Sequence, residues 1–164
     1  MGSGRGFTKT ADGGFRFLVI NGPNINLLGL REPDIYGKED YRALLDLVER
    51  TAEKGGFSTT CYQSNHEGDL VDVIQQAYGV YDGIVINPAA YTHTSIAILD
   101  ALKAVDIPFV EVHISAVEKR EGFRQISYVR QAALKTVSGR GIQGYADALL
   151  FLRDFLAKSQ AERL

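Results

Sequence analysis

Residues 19–37 read VINGPNINLLGLREPDIYG, and the way this stretch is parsed decides the fold. Its opening extends a nearly continuous apolar run, Arg16 to Asn21 (RFLVIN). Such a run is the pattern of a strand covered on both faces, as in a parallel sheet. Gly22 and Pro23 end it. The connection over 22–38 then takes 17 residues, against about 2–6 for an ordinary strand-to-helix loop. Connections that long inside compact domains tend to be functional lids. Helical spacing resumes over Glu39 to Lys54, with Tyr41, Leu44, Leu45 and Val48 on one stripe and Gly55-Gly56 as the stop.

The same alternation continues outward. Phe57 to Gln63 reads as a strand, and a following helix buries Leu70, Val73, Ile74 and Ala77. Gly83 to Asn87 is a third strand, Ile96 to Val105 a helix and Pro108 to His113 a fourth strand. A polar loop from 116 passes into a short helix near Ser127 to Ala133. Leu134 to Ser138 is a fifth strand, 139–144 a glycine-rich turn and Tyr145 to Ala157 a terminal helix. Five strands alternating with helices imply parallel pairing and right-handed crossovers. The expected architecture is α/β, a flavodoxin-like three-layer sandwich with a five-stranded parallel sheet. Ligands then bind beyond the carboxyl ends of the strands, where strand order reverses. Three polar segments follow such ends: the 22–38 loop, Asn87 to Ser95, and Glu111 to Ser115.

Composition narrows the function classes. The chain has 164 residues, 45% hydrophobic and 23% charged, with a net charge of −2. Its scattered Lys and Arg lack the basic stripe of a nucleic-acid binder. No apolar run approaches the ~20 residues of a membrane span. Residues 1–14 hold five glycines and no secretory core. They read as a disordered extension or expression scar before a single domain over 15–164, and a cytoplasmic location is expected. The single Cys61 excludes an internal disulfide and reads as a packed thiol. Three histidines without metal-binding spacing argue against a metal site. GRGIQGY at 139–145 superficially matches a GxGxxG dinucleotide loop, but no later strand brings a ribose-binding acid.

The residues leave several chemistries open. Arg31 beside Tyr36 would favour a phenolate, a base strong enough to act next to a carbonyl. Equally, Tyr36 could anchor the loop and Arg31 face solvent. Glu111 and His113, two apart on a strand, face the same way. Glu111 could orient His113 or hold it protonated as an acid, or His113 could simply cap the sheet edge. Asn87 and His93 flank a turn into a helix starting near Thr94-Ser95, whose N-terminal amides favour an anion or polar oxygen; equally, Asn87 could form the turn and Ser95 cap the helix. Ser115, with the backbone after Ile114, could donate to an anion, and Arg120 and Arg124 could clamp a carboxylate. A nucleotide- or flavin-binding module and a non-enzymatic scaffold are rival readings. Against the first stands the leucine-rich 24–36 loop, which lacks a phosphate cradle.

Taken together, NGPNINLLGLREPDIYG, YQSNHEGDLVDVI, NPAAYTHTS, EVHIS and GIQGY, in that order, resemble type II 3-dehydroquinate dehydratase over about residues 16–156. The resemblance implies dehydration of 3-dehydroquinate to 3-dehydroshikimate by anti elimination through an enolate, without cofactor, metal or Schiff base. It implies Tyr36 as the base at C2, kept ionised by Arg31, and Asn24 as enolate stabiliser through a water. His113 becomes the acid for the C1 hydroxyl, with Glu111 as its partner. Asn87, His93, Ile114, Ser115 and Arg124 match substrate-binding positions. Asp100 matches an acid reaching a neighbouring subunit's site, within a homo-oligomer of twelve built from trimers. Leu99 stands where a basic residue is expected and Ile126 where a histidine is common. The pathway would be aromatic biosynthesis or quinate breakdown.

Overall fold

The structure, a computed structural model, describes residues 13–30 and 38–163. The proposed base and its partner, Tyr36 and Arg31, lie outside the described residues, as does most of the 1–14 extension. The strands are β1 (Arg16–Asn21), β2 (Ser58–Gln63), β3 (Gly83–Asn87), β4 (Phe109–His113) and β5 (Lys135–Ser138). The helices are α1 (Tyr41–Gly55), α2 (Glu67–Gln76), α3 (Ile96–Val105) and α4 (Gln143–Ala161). The sheet order is β2-β1-β3-β4-β5 and every pairing is parallel. That is the expected flavodoxin-like order, with its reversal between β1 and β3.

Period-two alternation sorts the strand side chains into two cores. Phe17, Val19, Val85, Val110 and Val112 join Leu44, Val48, Tyr145, Leu149 and Leu152, which covers that face with α1 and α4. Leu18, Ile20, Ile84, Ile86 and Phe109 join Leu70, Ile74, Ile98 and Leu102 on the α2 and α3 face. With both faces covered, the central strands read as unbroken apolar runs. The pattern changes at the ends of β1, β3 and β4, where Asn21, Asn87 and His113 are polar yet buried, and at Glu111 in the middle of β4.

Most departures from the sequence reading sit at element ends. Helix α1 starts at Tyr41 because Asp40 is its N-cap, the carboxylate accepting from Ala43 N–H at 2.8 Å. Gly56 stops it with φ of 72°. Helix α4 begins two residues early, at Gln143, and continues to Ala161. Gly144 allows the early start, since a Cβ there would already lie 3.3 Å from Val137 Cγ1. The short helix expected near 127–133 contracts to a 3-10 turn, Val129–Gln131. Among the described residues, no helix is long and apolar enough to cross a membrane.

Candidate active site

The floor of the site is the meeting of the β1 and β3 exits. Gly22 N–H donates to the Asn87 carbonyl at 2.8 Å. A Cβ on Gly22 would stand 2.4 Å from the Pro88 carbonyl oxygen, so only glycine permits the crossing. Two non-glycine residues there adopt the left-handed region, Asn24 (φ 68°) and Ala89 (φ 53°). Such backbone persists only where neighbours hold it. Asn24 N–H is bound by Asn65 Oδ1 at 3.0 Å, and Ala89 N–H by Asn87 Oδ1 at 3.1 Å. Gln63 Nε2 adds donors to Gly22 O and to Asn65 Oδ1, so the exit of β2 braces the start of the long loop.

The β4 exit supplies the charged wall. Glu111 is fully buried, and each of its oxygens accepts hydrogen bonds. Oε1 receives His113 Nε2–H at 2.7 Å and Ser127 O–H at 2.6 Å. Oε2 receives Thr136 O–H at 2.9 Å, with Arg130 Nε at 3.5 Å. Burial by itself raises a carboxyl's pKa. Here the His113, Ser127 and Thr136 donors outweigh burial and hold Glu111 below the ordinary carboxylate range. An ionised carboxylate only accepts, which assigns a proton to His113 Nε2. Any proton His113 gives to a ligand must then come from Nδ1, with the doubly protonated ring balanced by Glu111.

His93 lines the same cavity. Its Nδ1 lies 2.6 Å from the Ile126 carbonyl, which can only accept, so this nitrogen bears the proton. Burial holds His93 below the ordinary histidine range. His113 and Arg124 push the same way, while the Ile126 carbonyl and Glu111 oppose. A neutral His93 therefore presents Nε2 as an acceptor. The Ile126 side chain is 57% exposed, so a substitution at this position leaves the contact to the main chain. Arg124 Nε donates to Glu121 Oε2 at 3.0 Å and its guanidinium lies 5.2 Å from the Phe123 ring centre.

The glycine-rich turn after β5 clamps the β4 exit. Gly139 N–H donates to the His113 and Ser115 carbonyls, and Gly141 N–H to that of Ile114. Both glycines have positive φ, 74° and 58°. This settles the role of the GxGxxG match as a brace for the site.

These pieces surround a cavity of about 120 Å³. Of the residues singled out in the sequence, Asn24, Asn87, His93, His113, Ile114, Ser115, Arg120 and Arg124 line it. Glu111 stands behind His113. Asp100 is exposed on α3 and does not line the cavity, while Leu99 beside it is packed, 5% exposed. Among the described residues, no three His, Cys, Asp or Glu side chains form a group that could hold a metal.

Residues 15–153 match the family described as Dehydroquinase class II. The chain belongs to the class II dehydroquinase family. It is 50% identical over 142 residues to the 3-dehydroquinate dehydratase of Caldicellulosiruptor saccharolyticus, covering 86% of this chain and 98% of the relative. Against the 3-dehydroquinate dehydratase of Lachnoclostridium phytofermentans it is 53% identical over 135 residues, covering 82% and 93%. The crystal structure of a type II dehydroquinase from Butyrivibrio crossotus superposes with a TM-score of 0.83 at 48% identity, covering 85% and 97%.

Several supporting residues carry no local sequence signal. Ser127 and Thr136 reach Glu111 from 16 and 25 residues away. Asn65 and Gln63 reach the long loop from 41 away. The SNHE segment shows only a polar turn, and its Asn65 is recognisable as a brace only once β1 and β2 are seen side by side.

Proposed function

We propose that the protein is a 3-dehydroquinate dehydratase, a hydro-lyase forming 3-dehydroshikimate for aromatic biosynthesis or in quinate breakdown. The observation that carries the reading is His113, pinned through Nε2 to a buried carboxylate, on the wall of a cavity at the strand-order reversal. Tyr36, ionised under the influence of Arg31, takes the proton at C2 beside the ketone. The ketone delocalises the resulting charge, and Asn24 stabilises the enolate oxygen through a water. His113 gives its Nδ1 proton to the C1 hydroxyl, which leaves as water on the opposite face as the C1–C2 double bond forms. The proton removed and the proton delivered balance, and no step is assigned to a metal, cofactor or imine.

Substrate recognition follows the same walls. Asn87 and the neutral His93 meet ring hydroxyls, while Ile114 and Ser115 bind the carboxylate from the β4 exit. Arg124, whose Nε is engaged by Glu121, offers its terminal amino groups to the same carboxylate. The exposure of Asp100 away from its own cavity fits a role in a neighbouring copy's site, and we extend the proposal to a dodecamer built from trimers. Sedimentation of the purified protein tests that assembly, and a monomer refutes it.

The test of activity is ultraviolet absorption of a conjugated enone on adding 3-dehydroquinate. Well-folded protein that leaves the substrate unchanged refutes the function. Borohydride added with substrate should leave the protein's mass unaltered, and a mass increase refutes the imine-free route.

A further inference from the structure

We propose that the buried hydroxyl of Tyr145 is a positioning group for the active site, holding the Asn87 amide in the cavity wall and tying it to Asn21 at the root of the long loop. The inference rests on the dehydratase reading and assigns it a residue that touches no substrate.

Asn21 and Asn87 are register partners at the ends of β1 and β3. By alternation from Val19 and Val85 they face α4, where Tyr145 is fully buried. Asn87 Nδ2 donates to the Tyr145 hydroxyl at 2.9 Å, and the hydroxyl lies 2.6 Å from Asn21 Oδ1. The directions are forced. Ala89 N–H can only donate, so the Asn87 atom 3.1 Å from it is the oxygen. The Asn87 nitrogen therefore faces Tyr145, and the phenolic proton goes on to Asn21 Oδ1. With the Asn21 amide turned the other way, the phenolic proton would have no acceptor.

Packing does not require the hydroxyl. Tyr145 sits in an apolar cluster that a phenylalanine of the same ring would fill equally well. What the oxygen adds is a link across the strand-order reversal, from a residue lining the cavity to the strand that leads into residues 22–30. Burial drives the phenol well above the ordinary tyrosine range, so it serves as a neutral relay of hydrogen bonds. Asn21 Nδ2 has no hydrogen-bond partner among the described residues. The half-buried Tyr41 hydroxyl also approaches the Asn21 side chain, while the Tyr145 bond holds Asn21 by its oxygen.

The test is Tyr145→Phe, assayed with 3-dehydroquinate in the wild-type and Asn87→Ala backgrounds. The loss of one buried hydrogen bond corresponds to about a tenfold fall in kcat/KM, expressed in KM more than in kcat. In the Asn87→Ala background the same substitution should change kcat/KM less than about twofold, because the group it acts through is gone. An equal fall in both backgrounds, or none in either, overturns the proposal. Crystal structures without substrate judge it separately from turnover. Asn87 should be displaced or divided between two conformers in Tyr145→Phe, and an unmoved Asn87 overturns the idea. If the variant does not fold, the wild-type crystal structure decides, since a hydroxyl out of reach of Asn87 is fatal. Wild-type protein that never converts 3-dehydroquinate would sink the dehydratase reading while leaving the crystallographic comparison intact.

Discussion

Replacing Glu111 by Gln separates the two jobs of the buried carboxylate, because the shape is kept and the charge removed. The new amide can place its NH₂ on either side. Toward His113 it would set a donor against the Nε2–H that Glu111 accepts at 2.7 Å. Toward Thr136 it meets a hydroxyl at 2.9 Å that can turn and accept. The second arrangement wins, so His113 and Ser127 keep an oxygen. A charge-assisted bond worth about 1.5–3 kcal/mol then becomes a neutral one of about 1 kcal/mol, a loss partly offset because no charge is buried. The expected cost in stability is therefore at most about 2 kcal/mol, read from urea denaturation near neutral pH. Turnover should suffer far more. The substitution removes the negative charge that faces the His113 ring, and loss of the general acid is worth about 10²–10⁴ in rate. Because Glu111 is held below its ordinary value of 4.5, its contribution to wild-type stability is complete above that pH. That contribution is lost as pH falls from there through the folded value, and Glu111→Gln should lack this acid limb. Turnover within about threefold of wild type would refute the assignment of Glu111 and His113 as a proton-delivering pair.

Four further outcomes are expected. Tyr36→Phe should lower turnover by about 10²–10⁴ while calorimetry still detects substrate binding, and equal loss of binding would make Tyr36 an anchor. His93 is held below its ordinary 6.5, so the unfolded chain takes up a proton that the folded one refuses. Urea midpoints should fall as pH drops through that value in wild type and fall less in His93→Asn; parallel curves would refute it. Burial pushes the Cys61 thiol up to about 11. Iodoacetamide near pH 8 should then alkylate it slowly until denaturant is added, since only roughly a thousandth is thiolate. Gly22→Ala forces backbone apart at the Pro88 contact and should cost about 1–3 kcal/mol in urea denaturation together with activity.

The sheet was legible in the sequence because burial on both faces leaves apolar runs that can be read one strand at a time. RFLVIN and GIVIN show this plainly, and the glycines and prolines that bound them mark where polar segments must emerge. The site was legible wherever its residues sit on those emergent segments, as Asn24, Asn87, His93 and His113 do. What escaped was convergence from afar. Ser127, Thr136, Asn65 and Tyr145 have unremarkable neighbours in sequence, and their value comes from one oxygen or nitrogen meeting another across the fold. The Ser127 hydroxyl donates to Glu111 and accepts Arg130 N–H at 3.1 Å, at the head of the 3-10 turn. Asp100 shows a different limit: it lies outside this chain's cavity, and an adjoining copy must be considered to give it a role.

The contact between His93 and the peptide oxygen at position 126 has an evolutionary corollary. A peptide oxygen survives every replacement of its own side chain, so the imidazole's hydrogen stays on the same nitrogen whatever amino acid occupies that place. The outward-facing isoleucine is then free to drift, or to be recruited by whatever lies beyond the molecular surface, without disturbing the histidine it steadies. Proline at the following residue, by contrast, would restrict the backbone that presents this oxygen and remove the Ser127 hydroxyl, and should be the change this corner tolerates least.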